Sequence, residues 1–123
     1  MTHHDSAIES QLAAAIAAAR EALDRAETER PTSETVIALR EATDAVASAL
    51  NEAMAGVVLD GASVRQVAAF ARLAPNTVPS RLSNSALLAD YAEDGKVSGD
   101  AIVRARYDQA RNPMSFTPRR STT

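Results

Sequence analysis

Residues 63–82, SVRQVAAFARLAPNTVPSRL, decide how this chain is read. The apolar positions Val64, Val67, Ala68, Ala71, Leu73, Val78 and Leu82 fit two short helices meeting across a sharp turn, with small Ala68 at their closest approach. Ser63-Val64-Arg65-Gln66 has the form of a capping box, so the first helix opens at Ser63. The turn spans about Arg72 to Pro75, and the second helix runs from about Thr77 to Leu82. Polar Asn76, Thr77, Ser80 and Arg81 then fall on the outward face of the second helix.

Upstream, two long stripes stand out. Ser6-Ala7-Ile8-Glu9 is a second capping-box sequence, and Ile8, Leu12, Ile16, Ala19, Leu23 and Ala26 follow at helical spacing. The first helix should stop near Glu29 or Arg30, because Pro31 disfavours helical geometry at the residue before it. Thr32 or Ser33 can cap the next helix. In it Val36, Leu39, Thr43, Val46, Leu50, Ala53 and Val57 alternate at three and four residues, a coiled-coil-like heptad seam ending before Gly61. So short a connection predicts an antiparallel hairpin over residues 1–60, with Leu39 and Leu50 buried in it. Ile37, Met54 and Val58 widen the apolar face. A second copy forming a four-helix bundle would cover it; so would the C-terminal helices of the same chain.

Downstream, ALLADYAE (86–93) suggests a helix closed by Asp94-Gly95. Ser98 caps a last helix with Ala101, Ile102, Ala105 and Tyr107 inward, stopped by Asn112-Pro113. The segment 112–123 has no periodicity and reads as a disordered tail. The fold class is therefore all-α: a hairpin (1–60), a small helix-turn-helix bundle (61–111) and a tail.

Composition agrees. Of 123 residues 27 are Ala and four aromatic, which favours closely packed helices over a deep core. The absence of cysteine excludes disulfides, thiolate metal sites and cysteine nucleophiles. No secretory signal or membrane-length apolar run is visible, so a cytoplasmic protein is expected. The net charge of −3 conceals a division: residues 1–60 carry −7 and residues 61–123 carry +4. Between Asp60 and Asp90 stand Arg65, Arg72 and Arg81 and no acid, which would draw phosphates to this half.

VRQVAAFARLAPNTV resembles the helix-turn-helix of lactose-repressor-type bacterial DNA-binding proteins, matching V-A-x-[FY]-A-x-[LV]-x-x-x-T-V at Val67, Ala68, Phe70, Ala71, Leu73, Thr77 and Val78. The resemblance covers about 20 residues. It implies double-stranded DNA as the partner, with base-reading positions at Pro75, Asn76 and Ser80. The Asn76 amide suits adenine, and Thr77 or Ser80 suits a phosphate or a thymine methyl. Three positions depart from the motif. Arg72 stands where glycine is usual, Arg81 where an apolar residue is common, and Pro79 falls inside the second helix unless Asn76 is its N-cap.

Other chemistry is sparse. His3-His4 has no third ligand, and Glu21, Asp24, Glu27, Glu41 and Asp44 pair naturally with Arg20, Arg25 and Arg40 on solvent faces. No nucleophile, base and pocket assemble, so no enzyme and no cofactor or metal is expected. Arg104, Arg106, Arg111, Arg119 and Arg120 form either a solvated face or a phosphate-contacting arm. The expectation is a homodimeric DNA-binding regulator of transcription that uses Arg65, Arg72, Asn76, Thr77, Ser80 and Arg81. The alternative is a helical, antitoxin-like adaptor for a protein partner.

Overall fold

The computed structural model describes the backbone of residues 3–111 and the side chains of residues 11–111. Expectations for the tail, for Arg119 and Arg120, and for the side chains of His3, His4 and Ile8 lie outside those residues. The class is all-α: among the described residues there is no strand, only an isolated bridge between Glu93 and Lys96.

Helix α1 (His3–Ala26) and helix α2 (Ser33–Leu59) lie side by side, joined by residues 27–32. The α1 backbone is already helical at His3, so Ser6 lies inside the helix and is not its cap. It stops at Ala26, three or four residues short of the Glu29–Arg30 end read from Pro31. Thr32 caps α2 through a reciprocal pair with Thr35, each side chain accepting the other's backbone N–H.

On α2 the line of contact is not the predicted one, and on α1 it keeps only the alanines of the predicted stripe, Ala19 and Ala26. Ala19, Ala22 and Ala26 are buried on α1, and Ala38 and Ala42 on α2, whereas Ile16, Leu23, Leu39 and Val46 are 37–52% exposed. The alanine stripes sit about one residue around each helix from the larger aliphatic ones. Methyl side chains let the two axes approach to about 8 Å, which longer side chains in the seam would prevent. Leu39 is consequently not buried, and Leu50 is only half-buried. An ion pair from Arg25 to Glu41 closes the loop end of the pair.

The C-terminal half of α2 is the spine of the main core. Met54, Ala55, Val58 and Leu59 pack with Val67 and Ala68 of α3 (Val64–Ala71) and with Val78 and Leu82 of α4 (Val78–Leu82). Leu87, Leu88 and Val97 join them, as do Ala101, Ile102 and Ala105 of α5 (Gly99–Arg111). Leu82, Leu88, Val58, Val78 and Val97 are fully buried, each contributing roughly 1.5–3 kcal/mol. Ser98 caps α5, its Oγ accepting from Ala101 N.

The segment 86–93 is not an α-helix. Ser85 is completely buried; its Oγ donates to Leu82 O and accepts from Leu88 N. Those local bonds replace the helical ladder with turns and a single 3-10 turn, Ala89–Tyr91. Asp94 and Gly95, at φ 56° and 76°, then make the two-residue turn that brings Glu93 to Lys96. Tyr107 does not face inward: it is 60% exposed, with the Arg111 guanidinium over its ring.

Candidate nucleic-acid interface

Helix α3 opens as its sequence dictates. Ser63 Oγ accepts from Gln66 N at 3.0 Å, and Gln66 Oε1 accepts from Ser63 N at 2.9 Å. Arg72 ends the helix in the left-handed conformation, φ 59°, which sets the sharp turn although the side chain is not glycine. Leu73 N donates to Ala68 O at 2.9 Å and Arg72 N to Ala69 O at 3.3 Å, the bond pair of a Schellman motif.

The second limb begins as a 3-10 turn, Pro75–Thr77, with Ala74 before it, and continues into α4. This arrangement accommodates both prolines. Pro75 opens the 3-10 turn, and Pro79 is the second residue of α4, where its missing N–H leaves no gap in the ladder. Asn76 is therefore not an N-cap, and its exposed side chain is not committed to one. Val67, Ala68, Val78 and Leu82, at 0–2% exposure, lock the two limbs together.

The six predicted contact residues divide. Arg65, Arg72 and Asn76 are exposed. Thr77 and Ser80 are half-buried, with the Ser80 hydroxyl donating to Thr77 O at 3.0 Å. Arg81 is not on an outward face: it is half-buried, and its Nε donates to Asn51 Oδ1 at 2.8 Å. Its partner lies on α2, thirty residues away, so helical phase within α4 could not reveal it.

The arginines of α5 divide too. Arg106 reaches back to the end of α2, donating from Nε to Val58 O and from Nη2 to Ala62 O. It satisfies carbonyls at a helix C-terminus, where a cation is favoured, and is structural. Arg104 and Arg111 remain exposed.

Two features carry no mark in the sequence. Phe70, a motif position, is 76% exposed, and it borders an apolar groove with Leu50, Ala53, Val57, Val67 and Ala71. Glu52 is 5% exposed: its Oε2 accepts from Ala86 N at 2.7 Å, its Oε1 has no partner, and burial raises its carboxyl above the usual range. Among the described residues there is no group of three or more metal-binding side chains and no helix long and apolar enough to cross a membrane. No known protein family, curated protein or solved structure matches the chain.

Proposed function

We propose that this chain is a small DNA-binding protein, acting as a homodimer through the α3–α4 helix-turn-helix, with regulation of transcription as its use. One observation carries the reading: α3 and the limb 75–82 are locked across a left-handed Arg72, with Arg65, Arg72 and Asn76 exposed and no acid between Asp60 and Asp90. Exposed arginines at this density suit phosphates, and Asn76 is the side chain suited to a base edge. Arg81 is withdrawn from the contact set by its bond to Asn51.

Anisotropy titration of labelled genomic duplexes at low salt tests the reading. Association should weaken steeply as salt rises. Arg65→Ala and Arg72→Ala should each lower the salt slope by about 1 while leaving the melting temperature nearly unchanged. Absence of association with every duplex would overturn it.

The exposure of Phe70 beside an apolar groove favours a second reading, an adaptor for a protein partner. A partner seated there would bind with little salt dependence and would be lost on Phe70→Ser, which leaves Arg65 and Arg72 untouched.

A further inference from the structure

The aliphatic residues excluded from the alanine seam form one continuous face. Along α2, Val36, Leu39, Thr43, Val46, Leu50, Ala53 and Val57 keep the three-four heptad alternation for about 32 Å, and α1 adds Ile16 and Leu23. Two hollows lie along this face. One, in the hairpin half, is lined by Leu23, Leu39, Ala42, Thr43 and Val46. The other lies between α2 and α3, with Phe70 at its border.

We propose that a second copy of this chain covers this face, with the two α2 helices antiparallel about a two-fold axis between Val46 and Leu50, and Phe70 of each copy seated in the Leu23–Leu39–Val46 hollow of the other. The inference deepens the homodimer reading above and does not depend on DNA binding.

Four considerations select this occupant. A heptad alternation is self-complementary: in the antiparallel register Leu50 meets Val46, Ala53 meets Thr43 and Val57 meets Leu39 of the other copy, joining a to d positions throughout. The aliphatic and aromatic surface left open by Ile16, Leu23, Val36, Leu39, Val46, Val57 and Phe70 is on the order of 700 Å² per copy, close to the ~800 Å² per partner of a stable interface. Beside this face Arg25 pairs with Glu21 and Glu41 and Arg40 with Asp44 within each copy, offsetting part of the repulsion between two N-terminal halves of −7 each. A parallel pairing would set the two α3 helices and their Phe70 rings against each other at one end and leave both hairpin hollows empty. The antiparallel one matches projection to hollow in both directions, as a two-fold interface requires.

The native chain has no cysteine, so crosslinking is clean. Sedimentation of the full chain at tens of micromolar should give a dimer. Phe70→Glu and Leu39→Glu, both at exposed positions, should each weaken association by roughly 30-fold or more while retaining the far-ultraviolet circular dichroism of the wild type. Mild oxidation of a mixture of Leu39→Cys and size-tagged Val57→Cys should yield the mixed disulfide dimer and little of either self-dimer. A monomeric wild type would overturn both the inference and the homodimer reading. A dimer crosslinking Val57→Cys to itself, or one indifferent to both Glu substitutions, would overturn this interface while leaving the homodimer reading intact.

Discussion

Arg81 of α4 and Asn51 of α2 are joined by a 2.8 Å hydrogen bond from Nε to Oδ1, and Asn51 is only 8% exposed. The bond fastens the second limb of the helix-turn-helix to the helix that carries the core. It also explains how an arginine occupies a position where an apolar residue is common: the charged end has a buried amide to bind, while the stem packs.

Arg81→Ala should therefore cost stability, about 1–3 kcal/mol in urea unfolding, because it strands the Asn51 amide oxygen. Arg81→Ala combined with Asn51→Ala should lose less than the sum of the two singles, with a coupling of about 0.5–3 kcal/mol. Strict additivity would mean that the two side chains do not support one another.

Glu52 gives stability an unusual pH slope. Burial raises its folded-state carboxyl above the unfolded value, so the folded protein holds this proton more tightly. Its contribution is greatest below the unfolded value and is lost as pH rises through the raised folded one. Glu52→Gln should flatten that part of the stability profile, seen as a melting temperature that no longer falls between mildly acidic and neutral pH. An unchanged profile would show that Glu52 titrates alike in both states.

The Tyr91 hydroxyl donates to Asp108 Oδ2 at 2.7 Å, tying the 3-10 turn to α5. Burial first, then the bond to Asp108 and its negative charge, push the phenol up to about 12. In a Tyr107→Phe background, where Tyr91 is the only tyrosine, the phenolate absorbance should rise near that value. The stability Tyr91 contributes is fully present below its unfolded pKa, about 10, and is lost as pH rises through the folded one. Tyr91→Phe should cost about 1–2 kcal/mol at neutral pH.

What could be read from the chain follows the range of the interactions. Ser63 with Gln66 and Ser98 with Ala101 are caps closed within three residues, and their sequences reveal them. The left-handed Arg72 follows from the position of the turn. The heptad stripe on α2 faces away from α1. Larger side chains dominate any hydrophobic pattern, whereas the contact with α1 runs through Ala38 and Ala42, beside the stripe. Arg81 with Asn51, Arg106 with Val58 and Glu52 with Ala86 join residues 30–48 apart, and no local pattern marks them. Of the proposed contact residues, the exposure of Arg65, Arg72 and Asn76 is legible in the sequence, and the burial of Arg81 against α2 is not.

Arg72 holds φ 59° without being glycine, which for a side chain with a Cβ costs roughly 1 kcal/mol. Arg72→Gly should therefore raise the unfolding free energy by up to about 1 kcal/mol, while removing one exposed cation from the proposed DNA face. A variant that is more stable in urea yet binds duplex more weakly would separate the two roles of this residue. A loss of stability would mean that the Arg72 side chain, and not its backbone alone, supports the turn.

The alanine seam makes the sharpest prediction about packing. Ala42 is 4% exposed on α2, and Ala22 is 2% exposed on α1. Ala42→Leu adds three carbons where the helices meet, so it should force them apart at a cost of about 1–3 kcal/mol. Leu39, one turn earlier, is 46% exposed. Leu39→Ala should cost the isolated chain clearly less, about 1 kcal/mol or below, since nearly half of the side chain is already open and alanine is the better helix former. Both are measured by urea unfolding, followed by circular dichroism, at concentrations low enough to keep the chain monomeric. If Leu39→Ala proves the costly substitution and Ala42→Leu the neutral one, the two helices meet through their leucines. The open face that carries the proposed interface would then not exist.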